Sequence, residues 1–236
     1  MVQQQKRDPT GLLIIWADVE EPYRTEYRRW HNCEHIPERV MIPGFYAARR
    51  YQGIGQAPGF LMQYETYDSK VLSSEPYLQA KNNPTPWTKA TIAHFRNNGR
   101  NICSLVAASG KEPVLDAPYL FLVRFNHPPG EGKEVITWYR ESHLPKICTI
   151  PGVYRGRLFE VDEEISNIAT AEQKISGSGP GRHRFLALYE IASVDLGAVK
   201  NWRGIHEGAG RGAGKKLKDL KEEFYWLDFA MYAPET

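Results

Sequence analysis

The chain has 236 residues, with 30 basic and 28 acidic side chains, a formal net charge of +2 and a hydrophobic content of 42%. That composition can pack one large core or two small ones and excludes a disordered chain. Basic and acidic residues alternate along most of the length, so no field able to hold a phosphate backbone forms, and nucleic acid is excluded as a partner.

In chain order, residues 1–10 are polar and predict a disordered tail without the apolar core of a secretory signal. No apolar run reaches the length of a membrane span, so no membrane partner is expected. The cysteines, Cys33, Cys103 and Cys148, are odd in number and lack metal-site spacing. They fit a reducing compartment, and a cytoplasmic location is the expectation.

Residues 12–16 form an unbroken apolar run, the pattern of a strand covered on both faces. Pro22 opens a helix where its missing N–H does no harm. Tyr23, Tyr27 and Trp30 fall at i, i+4 and i+7 as one inward stripe, and Pro37 with Pro43-Gly44 is expected to end the helix. Residues 45–53 and 59–66 read as two strands joined by a hairpin loop with Gly and Pro. A polar helical stretch interrupted by Asn83-Pro84-Thr85-Pro86 follows, then a fourth strand over 102–107. This βαββαβ order defines a first half at 11–108, followed by a linker at 109–117. The second half, 118–236, has its first strand at 119–125, a helix at 131–141 and its last strand at 224–232. Residues 162–183, which include Ser176-Gly177-Ser178-Gly179-Pro180-Gly181, read as a mobile insertion.

The halves repeat. An offset of 108 aligns Leu12, Glu26, Trp30, His35 and Pro37 with Leu120, Glu134, Trp138, His143 and Pro145. The same offset aligns Ile42, Pro43, Gly44, Tyr46 and Arg49 with Ile150, Pro151, Gly152, Tyr154 and Arg157. Average composition would give about two or three identities over that length, so chance does not explain the match. Further on, Phe60-Leu61-Met62-Gln63-Tyr64-Glu65 answers Phe185-Leu186-Ala187-Leu188-Tyr189-Glu190 at an offset of 125. The expected fold is α+β: two ferredoxin-like halves whose antiparallel sheets cover each other as an intramolecular α+β barrel.

The strings Trp30-His-Asn-Cys-Glu-His-Ile-Pro-Glu-Arg39 and Ile42-Pro-Gly-Phe-Tyr-Ala-Ala-Arg-Arg-Tyr51 resemble the EthD-like branch of the dimeric α+β barrel superfamily. So do the copies Trp138-Tyr-Arg-Glu-Ser-His-Leu-Pro145 and Ile150-Pro-Gly-Val-Tyr-Arg-Gly-Arg157. The resemblance covers most of the chain and is more specific for fold than for reaction. It implies cofactor-free monooxygenases, cyclases, decarboxylases or dehydratases of aromatic or polyketide substrates, along with haem-using enzymes and proteins without known activity. It also implies a helix-end histidine facing a cavity between sheet and helices, a role carried to His35 and His143 alone. Since one chain supplies both halves, a homodimer is allowed but not required by the barrel.

His35 and His143 are the candidate catalytic residues. If the helix continued to them, each would lie about 120° from the aromatic stripe, at its margin. An imidazole titrating near its ordinary pKa of about 6.5 can take or give a proton beside a carbonyl or phenol. The competing reading makes each histidine a cap for the last carbonyls of its helix. Glu34 precedes His35 whereas Ser142 precedes His143, so the neighbouring carboxylate is expected to favour a charged His35 and make the two titrate differently.

Trp30, Trp87 and Trp138 are candidate lining residues for a hydrophobic ligand, or simply core. His94 approaches the same space or caps its helix. In the pairs Tyr64-Glu65 and Tyr189-Glu190, neighbouring side chains must face opposite sides of the sheet. Each Glu either enters a pocket or pairs with Arg49 or Arg157. His31-Asn-Cys-Glu34-His35 also matches the inverted zincin pattern, although Tyr139 replaces His31 in the copy. The glycine-rich stretch at 208–215 fails the phosphate-loop pattern, because Ala209 stands where the first glycine belongs and no Ser or Thr follows Lys215.

The sequence thus predicts a cofactor-independent enzyme using a cavity histidine on a hydrophobic aromatic or polyketide-like small molecule, of lyase, decarboxylase, cyclase or monooxygenase type. The alternatives are a non-catalytic small-molecule binding or stress-related protein, and a zinc-dependent hydrolase.

Overall fold

The computed structural model describes residues 8–195 and 217–234. The apolar run near the start becomes β1 (Gly11–Val19). Its Leu12, Ile14 and Trp16 point to one face, and Leu13, Ala17 and Val19 to the other. Both faces are covered, which is why polar alternation is missing from its sequence.

After β1 a single-turn 3-10 helix (Glu21–Tyr23) leads into α1 (Arg24–Trp30). A π-helical turn (His31–His35) and α2 (Ile36–Val40) continue it. Pro37 therefore does not end the helix as expected: the chain passes through it inside α2. A proline cannot donate to the carbonyl one turn back, and the π turn re-registers the ladder just before it. Gly44 then turns the chain at φ +96°, and a Cβ there would come within 2.7 Å of Val71. Its counterpart Gly152 has φ +91°, so the repeated Pro-Gly pair marks a backbone shape that favours glycine.

Strands β2 (Phe45–Ile54) and β3 (Phe60–Thr66) follow, then α3 (Glu75–Asn82) and α4 (Pro86–Ile92), with Thr85 capping α4. The fourth strand, β4 (Phe95–Gly110), is far longer than expected. The second half supplies β5 (Tyr119–Asn126), α5 (Gly132–Trp138), a second π turn (Tyr139–His143) and α6 (Leu144–Ile147). It continues with β6 (Val153–Val161), α7 (Glu163–Ser166), α8 (Ala171–Ser176), β7 (Phe185–Ile191) and β8 (Lys218–Tyr232).

The eight strands close a wholly antiparallel barrel in the order β1-β3-β2-β8-β5-β7-β6-β4. Read by halves this is β4-β1-β3-β2 and β8-β5-β7-β6. The two sheets do more than lie face to face. β2 bonds to β8, and β4 bonds to β6. The long outer strands β4 and β8 reach across the seams and leave no open edge. Leu12, Ile14, Leu61, Leu120, Leu122, Leu186 and Leu188 fill the barrel interior. Two further cores lie outside it, one under the helices of each half.

Two predicted segments differ. The expected mobile insertion at 162–183 contains α7 and α8. Thr170 and Gln173 form a capping box at the start of α8, and Gly177 closes it in the left-handed conformation. The glycine-containing stretch after α8 is bonded to β4: Arg100 N donates to Gly179 O at 3.0 Å, and Gly181 N to Arg100 O at 3.1 Å. At the other end, Thr10 of the expected tail donates through its hydroxyl to Tyr67 O at 2.6 Å. The glycine-rich stretch 208–215 lies outside the described residues.

Candidate functional site

The π turns set the site. In the first, Ile36 N–H donates to His31 O, five residues back; in the second, Leu144 N–H donates to Tyr139 O. The repeated proline, Pro37 or Pro145, stands two residues after the end of each turn. The widened turn directs His31 and His35 inward toward β3, and both are buried, at 0% and 6% exposure. Such insertions recur at functional sites.

His31 Nε2 lies 2.8 Å from the Tyr64 hydroxyl, and its Nδ1 lies 3.3 Å from Arg50 Nη1. A guanidinium only donates, so Nδ1 is the acceptor and Nε2 carries the proton given to Tyr64. Arg50 is held in turn by Asn32 at 2.7 Å and by Asp228 of β8 at 2.8 Å. Burial, then Arg50 and His35, push the His31 pKa well below its ordinary value, so the ring is neutral. Burial drives the Tyr64 pKa well up, which keeps its hydroxyl a proton donor.

His35 packs on Trp30 with ring centroids 4.4 Å apart and lies 6.2 Å from the Tyr64 ring. Burial, then Arg39 and Lys81, hold its pKa well below the ordinary value. The expected influence of Glu34 is absent. Its carboxylate turns away to accept from Thr85 at 2.6 Å and from Thr88 at 3.1 Å, and Thr88 in turn accepts from the Trp30 indole. Arg39 and Lys81 share Glu172 of α8, each at 2.5 Å. The insertion thus docks on the first half by a buried ion triad. Four buried polar atoms on the helical side of the first half have no hydrogen-bond partner among the described residues: Tyr27 OH, His35 Nδ1, Arg39 Nη1 and Tyr77 OH.

In the second half the arrangement changes. His143, 1% exposed, has Nε2 2.8 Å from the Tyr189 hydroxyl and a ring 4.7 Å from Trp138. Tyr139 takes the place of His31 and stacks on Phe125 at 5.5 Å. Leu158 stands where the repeat puts Arg50.

Tyr64 and Tyr189 therefore face the helices and the histidines, while Glu65 and Glu190 point into the barrel. There Glu65 is clamped by Arg49 at 2.8 Å and Arg157 at 2.5 Å, and Glu190 by Arg157 at 2.8 Å and Arg155 at 2.7 Å. Burial would raise the Glu65 pKa, but Arg157 and Arg49 overcome it and hold the carboxyl below the usual range. As lining residues for the histidine sites, Glu65 and Glu190 are corrected to an internal ion cluster on the other face of the sheet. Trp87 donates its indole N–H to Glu26 at 2.8 Å. His94 stacks on Tyr23 at 3.3 Å and bonds Glu20 at 2.9 Å, so its contacts belong to the start of the first helix. Trp138 lines a shallow outer cleft with Lys133 and Glu141.

A zinc site at His31 and His35 does not fit. Both nitrogens of His31 are engaged, Nε2 by Tyr64 and Nδ1 by a guanidinium, and Glu34 is turned to the threonines. Among the described residues no group of three His, Cys, Asp or Glu side chains is placed to hold a metal ion.

Sequence reasoning weighed His31 only as a metal ligand and missed Arg50, Asp228, Arg39, Lys81 and Glu172. The signal within reach was the mismatch of the repeat, since His31 against Tyr139 and Arg50 against Leu158 are where the halves diverge in chemistry.

No family description matches the chain, and no curated protein matches it by sequence. Solved structures match its shape. An anthrone oxidase-like protein has TM-score 0.65 and 10% identity over 98% of this chain and 95% of its own. A candidate monooxygenase from Fusobacterium nucleatum subsp. nucleatum has TM-score 0.62 and 9% identity, over 97% of each chain. A candidate chlorite dismutase has TM-score 0.54 and 13% identity over 94% and 95%. The chain shares the α+β fold of these proteins, with a closed eight-stranded antiparallel barrel. Among the described residues no helix is long and apolar enough to cross a membrane.

Proposed function

We propose that the protein is a cofactor-independent enzyme that moves a proton on a hydrophobic, ring-bearing small molecule, aromatic or polyketide-like, at the first-half histidine cluster. The observation that carries this is the set of orphaned polar atoms around His35. Leaving a buried donor or acceptor unmade costs about 1–3 kcal/mol each, so four within one buried cluster favour a ligand that would satisfy them. His35 Nδ1, on a neutral ring, accepts a proton next to a carbonyl or phenol. The Tyr64 hydroxyl, held by His31, donates to the oxygen on which negative charge develops. The resulting carbanion or enolate is common to lyase, decarboxylase, cyclase and monooxygenase chemistry. Neighbours named anthrone oxidase-like and monooxygenase support an oxidative outcome, in which dioxygen as co-substrate would take up the electrons of that carbanion.

A haem, used by some proteins of the fold the sequence resembles, would need a free imidazole nitrogen as axial ligand. His31 has both nitrogens engaged, one by a cation, and does not fit that role. The EthD-like lineage and its doubling in one chain remain our reading of origin, supported by the repeated residues, the matching strand orders and the paired π turns.

Incubating the protein with a panel of ring-bearing ketones and phenols, followed by product analysis, tests the proposal. Turnover that is lost in the His35→Ala, His143→Ala double variant supports it, and unchanged turnover there overturns it. The second reading, a binding protein, is favoured by the near-complete enclosure of the cluster. It predicts a ligand recovered unaltered.

A further inference from the structure

The barrel end where β1 finishes holds a second candidate site, independent of the histidine cluster. A cleft of about 420 Å³ opens there, with Trp16 and Arg124 lining it from within the barrel, and Arg182, His183 and Lys221 at its rim. Barrel mouths are a preferred place for small ligands.

The floor is rigid. The Trp16 indole is wedged against two glycines: a Cβ would come within 2.3 Å of its ring at Gly181 and within 2.6 Å at Gly99. Arg124 packs on the indole, its guanidinium carbon 4.2 Å from the ring centroid. The rim is held by the β4 bonds to Gly179 and Gly181, and Asn101 Oδ1 accepts from Gly181 N at 2.8 Å.

Two groups at this rim are unanswered. His183 is 3% exposed, and its Nε2 lies 2.9 Å from the Asp219 carbonyl. A carbonyl only accepts, so Nε2 carries the proton and Nδ1 presents a lone pair. That Nδ1 is buried with no partner among the described residues. Burial and then Arg124 lower the His183 pKa, so the ring is neutral at neutral pH.

The second group is Arg182. Glu223 beneath the cleft takes Arg124 through two hydrogen bonds, at 2.7 and 3.1 Å, and Lys221 at 2.9 Å. Asp18, the carboxylate in the lining, is occupied by Gly59 N at 2.8 Å and Asn97 at 2.9 Å. The Asp219 carboxylate is turned to Asn126 at 3.0 Å. Arg182 has no hydrogen bond or ion pair among the described residues. It is an exposed cation beside a buried acceptor over a flat floor.

We propose that this cleft binds a small organic acid that also carries a hydroxyl group: the carboxylate on Arg182, with Lys221 beside it, and the hydroxyl donating to His183 Nδ1. The two requirements together exclude a simple anion and a neutral phenol as good ligands.

Calorimetric titration of the full chain with the ortho, meta and para hydroxybenzoates, with benzoate and phenol as one-group-short controls, tests this. At least one hydroxybenzoate is expected to bind about tenfold more tightly than either control, the size of one hydrogen bond. Arg182→Glu, a surface change that leaves the fold intact, is expected to weaken that binding by about tenfold or more. Nitrogen NMR of histidine-labelled protein is expected to show the unprotonated His183 nitrogen shifting as the ligand is added. Absence of binding in the millimolar range overturns the proposal. So does equal binding of benzoate or phenol, affinity unchanged by Arg182→Glu, or a His183 resonance that does not move. None of these outcomes touches His35, so the two proposals fail separately.

Discussion

The first half places two imidazoles in its helical turn and the second half an imidazole and a phenol, although helix, turn and proline are otherwise the same. What separates them is charge. Around His31 and His35 stand Arg50, Arg39 and Lys81, balanced by Asp228 from β8 and Glu172 from α8. Around His143 stand Tyr139, Trp138 and Tyr189, with Leu158 where Arg50 would be. In both halves the strand tyrosine bonds a histidine at 2.8 Å, but the partner has moved one helical turn, from His31 to His143, the counterpart of His35. One backbone device, the π turn before a proline, thus recurs in both halves and is equipped differently in each. The better equipped half is the one completed by residues from the other.

That dependence can be broken. Glu172→Ala removes the carboxylate between two buried cations and is expected to cost about 3–5 kcal/mol, as stranding buried charge does. Chemical denaturation reads this, and a loss below about 1 kcal/mol would mean that the triad does not anchor α8 to the first half. Glu172→Gln separates charge from packing, because it keeps the shape and still strands the cations.

Stability against pH sharpens the same contrast more gently. His31 and His35 have folded pKa values below the ordinary 6.5, so the unfolded chain binds protons first as pH falls. Their contribution is complete above about pH 6.5 and is lost progressively below it, whereas Glu65 begins to lose its contribution only below its ordinary 4.5. Denaturation midpoints measured from pH 7.5 down to 4.5 are expected to decline already above the carboxylate range. His35→Gln is expected to shrink that decline, and an unaltered slope would show that burial does not keep His35 neutral.

Much of the barrel was legible in the sequence. The unbroken apolar runs at β1 and β5 mark strands covered on both faces, and the two-residue period of a strand sends Tyr64 and Glu65 to opposite faces without tertiary knowledge. The π turn was not legible, because a single widened turn leaves no periodic signature and Pro37 reads as a terminator. The docking of α8 was hidden for a different reason. Thr170 and Gln173 spell a cap in plain sequence, but the partners of Glu172 lie 133 and 91 residues away, at Arg39 and Lys81. Asp228 reaches Arg50 only because the barrel closes through β2 and β8. Long-range charge pairing of this kind depends on topology, which local patterns constrain but do not specify.

The most direct measurement compares kcat/KM for His35→Ala and His143→Ala on one substrate turned over by the unaltered protein. The first-half cluster as reaction centre predicts a loss of about 100-fold or more for His35→Ala, the scale of a lost acid–base group, with His143→Ala staying within about threefold. A large loss confined to His143→Ala would place the chemistry in the other half and contradict the account.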